Sequence, residues 1–99
     1  MTQPITCRRT IRVSLNATVG LRRSMGPYCP VKLKDLSSHG CSVDLVDRVK
    51  LDEVLWVKFP GIEARQGMVC WESEYTCGIE FEMPFHPAVM DMLAAKLGA

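Results

Sequence analysis

Before Asp35 the chain contains no aspartate or glutamate. Seven cations stand in that stretch: Arg8, Arg9, Arg12, Arg22, Arg23, Lys32 and Lys34. From Asp35 onward five bases face eleven acids, so a segment of +7 is joined to one of −6 and the net charge of +1 hides the split. Two readings of this asymmetry carry equal weight. One region faces an anion, or the two parts pair as neighbouring strands and neutralise each other.

Other scarcities exclude whole classes. No apolar run approaches the ~20 residues that a membrane-spanning helix needs. The N-terminus has no apolar core of the kind a secretory signal requires, so none is expected. The five cysteines, Cys7, Cys29, Cys41, Cys70 and Cys77, are odd in number, and no two have the spacing of a zinc site or a redox pair. They read as reduced thiols in a cytoplasmic protein, and the last four as small buried apolar groups in strands. Only two histidines occur, His39 and His86, both in turn-like contexts where neither a metal nor a catalytic role is expected. The phosphate-binding, metalloprotease and hydrolase signatures are all missing. An enzyme is therefore the least expected class, and no cofactor is expected.

What remains is a 99-residue chain, 47% hydrophobic and 23% charged, which fits one soluble globular domain. Strand patterns dominate. Residues 13–19 alternate, with Val13, Leu15, Ala17 and Val19 on one side. A connection rich in glycine, arginine and proline follows, from Gly20 to Pro27. Residues 28–34 alternate again, with Cys29, Val31 and Leu33 inward, and 41–45 resume after a turn, with Cys41, Val43 and Leu45 inward. The mixed charges of 46–53 predict a surface loop. Residues 54–59 and 62–71 read as strands, with Gly67 as a bulge or bend in the second. The cleanest alternation is 75–83, where Cys77, Ile79, Phe81 and Met83 oppose Glu80 and Glu82. After Pro84 the spacing of Val89, Met92, Leu93 and Leu97 becomes helical, with Pro87 in the first turn and Asp91 and Lys96 placed as a helix dipole prefers. Short strands in series closed by one helix indicate an antiparallel barrel or sandwich.

Two short constellations carry chemistry. Arg8-Arg9-Thr10-Ile11-Arg12 is an RxxxR pattern just before the first strand. Asp35-Leu36-Ser37-Ser38-His39-Gly40 is a DxSxxG pattern at a strand–turn–strand junction. In this order and at this separation they resemble the PilZ domain, a bacterial receptor for cyclic di-GMP. Gly67-Met68-Val69-Cys70-Trp71 and Cys77-Gly78-Ile79-Glu80-Phe81 look like two later strand motifs of that family. The resemblance runs from about Arg8 to Leu97. It implies an all-β fold: a six-stranded antiparallel β-barrel with a C-terminal α-helix. The six strands counted above agree. The organisation expected is one domain over 1–99, with a flexible N-terminal arm (1–12), a barrel (13–83) and a helix (86–97).

The chemistry suits the ligand that the resemblance implies. An arginine fork binds phosphate oxygens, bonds bidentately to guanine O6 and N7, and stacks on bases. The resemblance gives that work to Arg8 and Arg12, with Arg9 adjacent. Asp35 can accept from guanine N1–H and N2–H. Ser37 offers a hydroxyl to a base or phosphate. Gly40 lets the backbone turn, with positive φ as one route, and approach the ligand. Against this stand plainer readings: Asp35 and Ser37 close a turn through backbone bonds, Gly40 is a hairpin residue, and the arginines form a solvated tail. For the set together, ligand binding is favoured. Trp56 and Trp71 read as core or barrel-surface aromatics.

Three functions compete. The first is a cyclic di-GMP receptor that relays the signal to a partner protein, since no output domain is seen in the chain. The second is a nucleotide-independent adaptor on the same barrel. The third, a small barrel for single-stranded nucleic acid, is disfavoured because Tyr28 is the one stacking residue interleaved with the basic stretch.

Overall fold

The structure, a computed structural model, describes residues 13–45 and 47–97, and side chains from Ala17 onward. Six strands, β1 (Val13–Arg23), β2 (Cys29–Leu36), β3 (Gly40–Asp44), β4 (Val54–Lys58), β5 (Arg65–Ser73) and β6 (Thr76–Phe81), precede one helix, α1 (Pro87–Lys96). All neighbouring pairs are antiparallel and the sheet closes on itself in the order β1-β2-β3-β6-β5-β4. Of the two all-β architectures that the pattern allows, the chain forms the barrel. Closure rests on β1 meeting β4, Gly20 against Lys58 through Arg23 against Leu55. It leaves no open edge for another strand to join.

Alternation along each strand sends one side chain in two to the interior. Val19 and Leu21 of β1, Val31, Leu33 and Leu36 of β2, Leu55 and Val57 of β4, and Cys77, Ile79 and Phe81 of β6 fill it. Phe59, Phe85 and Leu93 extend this core toward the helix. Pro87 opens α1, where its missing N–H is harmless, and the His86 ring nitrogen Nδ1 accepts from Ala88 N at 3.0 Å as the cap.

Several expectations change. β1 runs to Arg23, so Gly20 and Arg22 lie within the strand and the turn is confined to 24–28. Long-range pairing with β4 sustains the strand past its glycine. Cys29 is exposed and Cys70 half-buried, so only Cys41 and Cys77 are buried thiols among the described cysteines. Burial, aided by the carboxylates of Glu53 and Glu72, pushes the Cys77 thiol up to about 12. It is inert at neutral pH. Met83 lies beyond β6 and is exposed. Gly67 is no bulge. It pairs in register with Leu55 and Phe81, and the ladder shifts instead between Val69 and Trp71. A Cβ on Gly67 would meet Ile79 Cγ2 at 2.6 Å and Glu80 O at 2.8 Å, so close approach explains the glycine. The first turn of α1 holds no acid.

The 47–53 loop is more than a surface connection. Val49 inserts into the core, Asp52 N donates to Val69 O, and Val69 N donates to Glu53 O. Arg23 grips Glu53 with two hydrogen bonds of 2.6 and 2.9 Å, so one early cation does neutralise a later acid. That guanidinium holds the Glu53 carboxyl below its usual range, against the opposing pull of burial and with help from the Lys50 amide. A carboxyl lowered by folding stabilises the protein above its unfolded pKa, and the benefit is lost as pH falls through the folded value. Glu53→Gln is therefore expected to lower stability at neutral pH by about 0.5–1 kcal/mol. The gap to wild type should close as pH drops below the ordinary glutamate range. Thermal melts of both proteins across pH check this, and a gap independent of pH would reject it.

Candidate functional site

Asp35 and the following turn sit where three strands converge. Asp35 is half-buried on β2, opposite Ser14 of β1 and Ser42 of β3. A register irregularity between Leu33 and Asp35 marks the place where the strand is re-aimed. Residues 37–40 then reverse the chain.

Ser37 governs that reversal. Its Oγ accepts from His39 N and from Gly40 N, each at 3.2 Å, and donates to Gly40 O at 3.3 Å. Its amide also donates to Gly40 O at 2.8 Å. A hydroxyl has one proton and two lone pairs, and here all are used. The residue is 2% exposed. Its hydroxyl shapes the turn, as in the plainer reading of Ser37 as a residue that closes a turn.

Of the reasons expected for Gly40, positive φ is not the one that applies. Gly61 is the one described glycine with positive φ, so Gly40 is not chosen for left-handed backbone. It is buried against β6, opposite Glu80, and a Cβ there would drive into the carbonyl oxygen of Ile79. Two further backbone bonds pin the turn: Phe81 N donates to His39 O and Phe85 N donates to Ser38 O, both at 2.8 Å. Sequence reasoning missed these two residues because their contribution is carbonyl oxygen, for which any residue type serves.

Arg8, Arg9 and Arg12 lie outside the described residues. The chain enters the barrel at Val13, which pairs with Leu36, the residue before Ser37. The structure thus brings together Asp35, Ser37 and Gly40, beside the point where the basic arm joins. A depression on the neighbouring outer wall, about 340 Å³, is lined by Glu80 and Glu82 with Met68 and Gln66. Its two carboxylates make that wall unfavourable to an anion.

The family model described as "PilZ domain" matches residues 7–97. The chain belongs to the PilZ domain family. PilZ domains are ligand-binding regulatory domains, and in this one the family's DxSxxG residues form the pinned turn. A solved structure titled as the PilZ domain of CeSA from a cellulose-synthesizing bacterium is similar in fold, with a TM-score of 0.61 and 11% identity, covering 89% of this chain and 94% of that one. No curated protein matches the chain. Among the described residues no helix is long and apolar enough to cross a membrane, and no group of three metal-binding side chains is found.

Proposed function

We propose that this PilZ domain is a cyclic di-GMP receptor that relays the nucleotide to a partner protein. The observation that carries the reading is the turn of residues 37–40, pre-organised by Ser37 and adjoining the entry point of the RxxxR arm. A ligand that needs the backbone in one shape does not pay to create it.

In this reading the whole chain acts as one unit. The arm, residues 1–12, closes over the ligand from the Val13–Leu36 end of the barrel. Arg8 and Arg12, with Arg9 beside them, grip phosphates and guanine edges. Asp35 reads the guanine N1–H and N2–H donors. Ser37 and Gly40 act through the turn: the serine fixes its shape and the glycine lets it press against β6. No bond of the nucleotide is broken, and the output is a changed surface.

Titration calorimetry with cyclic di-GMP, with GTP and cyclic GMP as controls, tests the proposal. Saturable binding selective for the dinucleotide is expected. Arg12→Ala should weaken it by roughly 30-fold, the loss of one charge-assisted contact of about 2 kcal/mol. Asp35→Ala should erode selectivity for guanine while leaving attraction to anions. No heat at two temperatures from folded protein would reject the receptor and favour the nucleotide-independent adaptor.

A further inference from the structure

The outer wall formed by β1, β2 and β4 has no role in the nucleotide reading. Val19 and Leu21 point inward, so Thr18, Gly20 and Arg22 point out. Their partners share that face: Lys32 opposite Thr18, Pro30 and Lys58 on either side of Gly20, and Trp56 opposite Arg22. Residues far apart in sequence thereby meet. The Arg22 guanidinium lies 4.2 Å from the Trp56 ring centroid and 5.6 Å from that of Tyr28. Two aromatics hold one cation in place. Its Nη1 reaches only long contacts, 3.5 Å to Arg23 O and 3.4 Å to Ser24 O.

Beside this stack runs an open groove of about 490 Å³. Its floor is Gly20, and its walls are Tyr28, Pro30, Lys58 and Pro60. Tyr28 is 43% exposed. Among the described residues, Arg22, Lys32 and Lys58 have no carboxylate within ion-pair distance. Lys58 Nζ donates to Ile62 O, a neutral partner that leaves its charge uncompensated. The face is thus cationic, aromatic and concave, with charge that no described carboxylate neutralises. Because the barrel is closed, a partner cannot add a strand here and must engage side chains.

We propose that this wall is a docking surface for a partner protein, which it takes by an acidic segment carrying one bulky apolar side chain. The apolar side chain fills the groove over Gly20. A carboxylate before it meets the edge of the Arg22 guanidinium, which the two rings leave open. Carboxylates after it meet Lys58 and Lys32. Three cations without acidic partners supply the charge complementarity. A protein fits better than a single-stranded nucleic acid, since Arg22 already occupies the ring faces on which bases would stack. The inference deepens the relay half of the proposed function and is independent of the nucleotide half. Lys32 and Asp35 are three residues apart on β2, about 10 Å along the strand, so ligand and partner would share one ladder.

The test is an NMR titration of the full chain, isotope-labelled, with a short peptide of alternating glutamate and aspartate around one central phenylalanine. Controls are the same peptide with lysine for each acid, the same peptide with glycine for phenylalanine, and oligo-dT. Saturable shifts are expected at the amides of Gly20, Arg22, Lys32 and Lys58 and at the Trp56 indole, with the acidic phenylalanine peptide alone. Arg22→Gln combined with Lys58→Glu should weaken that binding about tenfold or more. Cyclic di-GMP titrated into the same double variant should behave as with wild type, which separates this proposal from the receptor reading. No saturable shift at millimolar peptide, shifts centred elsewhere, or equal binding of the glycine peptide would overturn it. So would oligo-dT binding the same amides more tightly than the peptide, or self-association of the chain through this wall.

Discussion

Gly40→Ala is expected to destabilise the barrel more than any other glycine substitution in the turn region. The new methyl group would collide with the carbonyl oxygen of Ile79, an atom of the paired strand. Backbone cannot rotate aside as a side chain can. To make room, β3 must leave β6 at the Gly40–Glu80 and Cys41–Ile79 pairs, and the bond from Phe81 N to His39 O must stretch. Overpacking of this kind costs about 3–5 kcal/mol, a large part of the 5–15 kcal/mol that holds a typical domain together. Thermal melting by circular dichroism measures it, with a drop of roughly 15–30 °C expected. Gly26→Ala is the internal control. Nothing lies within 4 Å of a Cβ there and its φ is ordinary, so it should be neutral or slightly stabilising. Gly78→Ala falls between, because its obstacle is the Trp71 indole, a side chain that can swing away. A Gly40→Ala protein melting within a few degrees of wild type would show that the turn does not press on β6. The result also bears on function. Any loss of nucleotide binding in a Gly40 variant would report the fold, whereas a loss in a folded Asp35 variant would report recognition.

This glycine illustrates what was legible in the sequence. The DxSxxG pattern was visible, and so was the alternative that Asp35 and Ser37 merely close a turn. Local spacing reveals a turn well, because serine and glycine act there on residues two or three away. It does not reveal what lies against the turn, and Ile79 is 39 residues further on. All six strands and the helix were likewise legible, since period-2 and helical spacing are local properties. Alternation alone left barrel against sandwich open, because closure depends on the β1–β4 pairs, for which no local residue pattern exists; the resemblance to the PilZ family supplied the barrel, and the closed sheet bears it out. The same limit hid the wall of Arg22, Tyr28 and Trp56. Gly20 and Arg22 looked like a connection, and Trp56 like a core or barrel-surface aromatic with no named neighbour. Only the register placed Trp56 opposite Arg22. Cys29 failed for the opposite reason: its neighbours alternate as expected, but it sits at the rim of the barrel where the inward side is open.

Phe59→Ala should produce the other large effect, and through the same turn. Phe59 is fully buried just past β4. Its ring stands edge-on to Phe81 at 6.0 Å and to Phe85 at 5.6 Å, and Phe81 and Phe85 meet at 4.9 Å. Arg65 caps the cluster, 4.7 Å over the Phe85 ring. Three rings thus join the end of β4, the end of β6 and the approach to α1. Truncation leaves a cavity that these strand ends cannot collapse to fill, at about 3–5 kcal/mol by denaturant unfolding. The two other rings carry the amides that pin the turn, Phe81 N on His39 O and Phe85 N on Ser38 O. The damage should therefore reach residues 37–40, although none of them is in the ring cluster. Hydrogen exchange at the Phe81 and Phe85 amides should accelerate beyond the loss of global stability, while exchange at Val57, within β4, follows that loss alone. Phe59→Leu, which keeps most of the volume, should restore slow exchange at both amides. Uniform acceleration across the barrel would mean that the aromatic cluster supports the core as a whole and does not act as the backing of the turn.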